Sequence, residues 1–138
     1  MGRDEVILLD THVLIWVANE DRKLGRQARA ALDRAWKAEA VGVCPISFWE
    51  VATLAARKRI RLPMSAAAWR ASLLAAGLSE LPLDGGVALR AVDLAGLPAD
   101  PADRLIVATA LCYQAELMTA ADALLEWRHG LPRVDARL

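Results

Sequence analysis

The chain has 138 residues, and its 17 Lys and Arg balance 17 Asp and Glu to a formal net charge of zero. With 56% hydrophobic residues and a mean hydropathy of +0.26, it has ample material for a buried core. Disorder is thereby excluded as the main state, and one domain spanning 1–138 is expected. Neutrality excludes coating of nucleic acid by bulk positive charge, while leaving room for a local basic surface.

The first element is the short run Val6-Ile7-Leu8-Leu9, closed by Asp10. A continuous apolar run of this length suits a strand buried on both faces, as in a parallel sheet. Residues 11–19 read as helical. Residues 25–38 form an amphipathic helix, with Ala28, Ala31, Leu32, Ala35 and Trp36 on one face and Arg26, Arg29, Asp33, Arg34 and Lys37 on the other. Residues 41–44 make a second strand, and a helix over 48–59 follows. Residues 65–76 are predicted helical, 78–83 a third strand, and 86–95 a helix stopped by Gly96 and Pro98. Asp100-Pro101 opens a long helix to about residue 115. A fourth strand covers 116–119, then a short helix spans 122–127 and a last strand 133–136. This alternation predicts a three-layer α/β/α sandwich with a mostly parallel central sheet.

No apolar run reaches the roughly 18 residues of a membrane span, and Arg3, Asp4 and Glu5 interrupt any signal peptide. A soluble cytoplasmic protein is expected. Cys44 and Cys112 follow no metal or redox spacing and read as small core residues. Trp16, Trp49, Trp69 and Trp127 sit among apolar residues and are expected in the core or an interface. His12 is assigned a local structural role, and His129 has no visible partner.

In a parallel sheet all strands end on one edge, where the following helices begin and where ligand sites gather. Asp10 ends the first strand, Glu50 opens the helix after the second, and Asp122 lies where the fourth hands over to a helix. Asp103 sits in the first turn of the helix that Asp100 begins. Each has a purely structural reading. Ser47-Phe48-Trp49-Glu50 has the form of a capping box, and Asp100-Pro101-Ala102-Asp103 that of an N-cap with Pro at the first helical position. Asp10 is harder to read that way, because an acid directly after a buried apolar run gains nothing there. Two carboxylates at 4 Å repel by about 4 kcal/mol at an effective dielectric near 20. A cluster of four therefore needs protons or cations, and oxygen-only donors favour hard ions such as Mg²⁺ or Mn²⁺. Phosphodiester or phosphate-ester hydrolysis is the chemistry this suits.

Leu8-Leu9-Asp10-Thr11-His12-Val13-Leu14-Ile15-Trp16 resembles the opening motif of PIN-domain ribonucleases, specifically the VapC toxins of type II toxin–antitoxin pairs. Ile46-Ser47-Phe48-Trp49-Glu50-Val51-Ala52 resembles their second motif, and Asp100-Pro101-Ala102-Asp103-Arg104-Leu105 their third. The resemblance runs from about residue 6 to 127. It implies a PIN-like fold and a Mg²⁺- or Mn²⁺-dependent endoribonuclease that binds a VapB-like antitoxin and forms a homodimer. By position it makes Asp10, Glu50 and Asp103 metal-binding catalytic carboxylates and Asp122 the fourth. Family members mostly read Thr-x-Asp at the last position, whereas this chain reads Thr119-Ala120-Ala121-Asp122, so the fourth carboxylate is displaced by one residue.

Arg104 is expected either at RNA phosphate or in a salt bridge inside the fold. Arg57, Lys58, Arg59 and Arg61 form the densest basic run, which suits RNA phosphates, an acidic partner segment or simply a solvated helix end. Competing functions are a haloacid-dehalogenase-type phosphatase and a catalytically degenerate PIN module acting as a binding partner. The first has Asp-x-Asp where this chain has Asp10-Thr11-His12. A receiver-type domain needs a late lysine, and the lysines here, Lys23, Lys37 and Lys58, are all early.

Overall fold

The computed structural model describes residues 5–98 and 100–138. Among these residues five short strands form one parallel sheet: β1 (Ile7–Leu9), β2 (Val41–Val43), β3 (Ser79–Glu80), β4 (Glu116–Thr119) and β5 (Arg133–Asp135). Their order is β3-β2-β1-β4-β5, with Ile7 opposite Val41 on one side and Glu116 on the other. The chain builds outward from β1 in one direction and then returns to build outward in the other. The order therefore reverses between β1 and β4, and the crevice outside the carboxyl ends of those two strands is where open α/β sheets bind ligands.

Among the described residues seven helices cover the sheet: α1 (Thr11–Ala18), α2 (Arg26–Lys37), α3 (Ile46–Ala56), α4 (Ala66–Ala75), α5 (Gly85–Val92), α6 (Pro101–Cys112) and α7 (Asp122–Glu126). Strand side chains alternate between faces, and two separate cores result. Leu8 and Leu117 pack with Val87 and Ala91 of α5, Ile106 and Ala110 of α6 and Leu124 of α7. Ile7, Leu9, Val41, Val43 and Met118 pack with Val13 of α1, Leu32 of α2, Val51 of α3 and Trp69 of α4. Helices on both faces of a parallel sheet make the three layers expected.

Several boundaries differ from expectation, each for a local reason. The third strand shrinks from six residues to Ser79–Glu80, because Pro82 has no N–H for a ladder. α3 starts at Ile46 instead of 48 and stops at Ala56, where Lys58 turns left-handed at φ +59°. α6 ends at Cys112 and Gln114 takes φ +53°. Cys44 is buried as expected, but Cys112 is exposed. Trp69 and Trp127 are buried, whereas Trp49 is 63% exposed, which removes it from the core. His129 packs against the Trp127 ring, with centroids 4.9 Å apart.

Candidate active site

Among the described residues the buried polar side chains are Asp10, Thr11, Ser47, Thr109 and Thr119. All but Thr109 stand at the carboxyl edge of the sheet, beside the point where strand order reverses. Burying polar groups is costly unless each is hydrogen-bonded, and these satisfy one another. Asp10 caps α1: its Oδ1 accepts from the Thr11 amide at 2.8 Å. Its Oδ2 accepts from the Thr119 hydroxyl at 2.6 Å, which ties the end of β1 to the end of β4. Thr119 Oγ1 also accepts from the Ala121 amide at 3.0 Å, shaping the entry to α7.

The second motif behaves differently from a capping box. Because α3 already begins at Ile46, Ser47 lies inside the helix and is fully buried. Thr11 Oγ1 hydrogen-bonds to Ser47 Oγ at 2.8 Å and to Glu50 Oε1. A hydroxyl carries one hydrogen, so donation to the Glu50 carboxylate leaves Ser47 as the donor to Thr11. Glu50 is thus aimed at α1 and not back at its own helix start. The third motif keeps its cap: Asp100 Oδ1 accepts from the Asp103 amide at 2.9 Å.

Electrostatics gather these acids into one group. Burial, followed by the charges of Asp10, Asp100 and Glu50, pushes the Asp103 carboxyl from its ordinary 3.8 up to about 7. Burial also raises Glu50; the Thr11 hydrogen bond opposes that, and Asp100 and Asp10 add to it. Asp10, Glu50, Asp100 and Asp103 therefore share a field. Asp100, expected only as a cap, is the member that sequence reasoning missed as part of the site. Its signal was present, since a cap three residues before Asp103 must stay near it. Asp122 is exposed and pairs with Arg137 Nη2 at 3.2 Å.

Among the described residues no lysine or arginine pairs with Asp10, Glu50, Asp100 or Asp103. Arg104, next in sequence to Asp103, is turned away. Its guanidinium donates to the carbonyls of Ala91 (2.9 Å), Leu97 (2.9 Å), Val92 (3.1 Å) and Leu94 (3.1 Å). Among the described residues it makes no salt bridge, its guanidinium being spent on the α5–α6 connection. His12 accepts from the Ala120 amide through Nε2 at 3.1 Å. Its proton then resides on Nδ1, 3.6 Å from Asp10 Oδ2.

The donor set is carboxylate and hydroxyl oxygen, with repulsion unrelieved by the chain's own cations, which fits a hard divalent ion. The fit is one of chemistry and charge: among the described residues, no three Asp, Glu, His or Cys side chains already close into a ligand set.

Residues 7–126 match the family profile described as PIN domain. The chain is similar to Ribonuclease VapC22 of Mycobacterium tuberculosis, 36% identical over 127 residues that cover 91% of this chain and 95% of that protein. Its fold is similar to that of VapBC from Salmonella typhimurium, solved bound to DNA, with TM-score 0.71 and 16% identity over 96% of this chain and 98% of that one. VapBC2 from Rickettsia felis, bound to a promoter DNA fragment, gives TM-score 0.70 and 14% identity over 94% and 97%.

Proposed function

The chain belongs to the PIN-domain family, and on that premise we propose that it is a toxin of a type II toxin–antitoxin pair, an endoribonuclease that hydrolyses RNA phosphodiester bonds. The observation that carries this reading is the carboxylate group at the reversal point of the sheet, with Asp103 raised to about 7 and, among the described residues, no lysine or arginine paired with it. An uncompensated acidic cluster is costly in a structural role and useful where a cation must be held against a phosphate.

In this reading Asp10 and Asp103 hold the principal divalent ion, with Glu50 at a second or water-mediated position. Mg²⁺ or Mn²⁺, when bound, supplies Lewis acidity and a more acidic water. The chain supplies the rest. Thr119 and the Thr11 amide hold both oxygens of Asp10 in place. Thr11 orients Glu50, whose proton affinity burial raises, toward the role of accepting the proton of an attacking water. Asp122 acts as an outer carboxylate, restrained by Arg137. The partners proposed are a VapB-like antitoxin, RNA and a second copy of the chain. A cytoplasmic location accords with that setting, and no helix among the described residues is long and apolar enough to cross a membrane.

Cleavage of short RNAs titrated with Mn²⁺ or Mg²⁺ tests the reading. Asp10→Asn and Asp103→Asn should each lower the rate by roughly 10²-fold or more, while Asp122→Asn should cost less. Undiminished cleavage by the first two variants would overturn the assignment. Metal binding without turnover on any RNA would indicate a binding module in place of a nuclease.

A further inference from the structure

Between Glu50 and Glu80 the sequence contains no acidic residue at all, while it carries Arg57, Lys58, Arg59, Arg61 and Arg70. Arg70 is accounted for by a two-pronged pair with Glu80, at 2.8 and 3.0 Å. The other four are exposed, and among the described residues none has an acidic partner. The left-handed turn at Lys58 ends α3 and swings the chain around an open cavity of about 590 Å³. Lys58, Arg59 and Arg61 line it together with Ala55, Leu62 and Ser65.

α3 connects this basic cavity to the acidic group. Trp49, Thr53 and Arg57 are spaced i, i+4 and i+8, so they lie along one helix face. Trp49 is 63% exposed beside Glu50, and the eight-residue rise to Arg57 is about 12 Å. One face therefore runs from an exposed aromatic ring at the acidic end to four unpaired cations at the other. Aromatic platforms paired with cationic grooves are how single-stranded nucleic acids are held without sequence readout. We propose that the outer face of α3 and the cavity lined by Lys58, Arg59 and Arg61 form a docking track for single-stranded RNA flanking the cleaved bond, with a base stacked on Trp49. An acidic protein segment fits less well, because its charge would meet the carboxylates at the Trp49 end and it has no bases to stack. The proposal rests on the reading that the chain cuts RNA.

Its test uses the full chain with RNAs of roughly 4 and 16 nucleotides, the range of sites on single-strand binders. Replacing Lys58, Arg59 and Arg61 together by Gln should raise KM for the longer RNA about tenfold. It should also reduce the slope of log(kcat/KM) against log salt by about 2, at roughly 0.7 per lost phosphate contact. Trp49→Ala should raise KM at least about fivefold, the effect of one lost stacking contact. Arg34→Gln, on the exposed face of α2, is the control and should leave KM unchanged. Circular dichroism and melting of each variant show that the fold persists. Unaltered KM and salt slope in the triple variant, with cleavage intact in the unsubstituted chain, would overturn the track while sparing the nuclease reading. Absence of cleavage by the unsubstituted chain would overturn the reading beneath it. Loss of affinity for polyglutamate but not for RNA would assign the surface to an acidic protein segment and overturn the proposal.

Discussion

Asp10 has two oxygens and two different tasks, capping α1 through one and accepting from Thr119 through the other. Thr119→Val keeps the shape of the side chain but removes the donor from a buried carboxylate oxygen, at a cost of about 1–3 kcal/mol. Urea unfolding should show a lower midpoint with an unchanged slope, and an unshifted midpoint would mean that Asp10 finds another donor. Asp10 drew attention in the sequence because an acid directly after a buried strand was expected to gain nothing there, and the structure corrects that expectation by making it the cap of α1. Glu50 was ambiguous, because Ser-x-x-Glu writes a capping box and an active-site pair with the same letters. The start of α3 at Ile46 removes the capping box, placing Ser47 inside the helix and against Thr11. Nothing in the local sequence marks that contact, whose partner lies 36 residues away.

At the scale of elements, two joints carry the arrangement. Arg104 gathers four carbonyls from Ala91 to Leu97 and so fixes α5 and its following turn to the start of α6, where Asp100 and Asp103 stand. Charged hydrogen bonds are worth about 1.5–3 kcal/mol each, and not additively, so Arg104→Met should destabilise the fold by about 3 kcal/mol. Thermal melting would measure this, and a loss below roughly 1 kcal/mol would mean that the carbonyls are satisfied without it. The second joint lies at Gly25, which caps α2 without a side chain. Its amide donates to Ala136 and the Gln27 amide to Leu138. A Cβ on Gly25 would stand 2.2 Å from the Leu138 carbonyl carbon. Gly25→Ala should therefore push the last residues off α2 at a cost of about 1–3 kcal/mol, visible as faster amide exchange at Gln27. The helix itself was legible from its apolar stripe. The need for glycine was not, since it arises from a segment more than a hundred residues downstream.

The whole molecule is a neutral chain divided into unlike regions, with acids at the sheet edge and unpaired cations beyond α3. Burial and mutual repulsion raise Asp103 to about 7 and raise Glu50 with it. The folded chain then binds more protons than the unfolded chain between roughly pH 4 and 7, so metal-free stability falls as pH rises through that window and levels off above it. After allowance for solvent screening of a half-buried group, Asp103 accounts for about 1–2 kcal/mol of that fall. Mg²⁺ or Mn²⁺ should raise the melting temperature more above roughly pH 7, where the acids are ionised, than below roughly pH 4. A flat pH profile with no metal effect would show that the four carboxylates do not share a field.

Strand and helix order, the parallel sheet and the edge that gathers the acids were all determined by the sequence, because hydrophobic period and chain direction are local properties that add along the chain. The tertiary structure decided which acids feel one another's charge. Asp100 joins Asp10, Glu50 and Asp103, while Asp122 turns to Arg137 and Arg104 turns inward to carbonyls. That choice depends on where α6 and α7 dock against β1 and β4, and on the screening and burial found there. Coulomb repulsion acts through space, and sequence separation does not measure it.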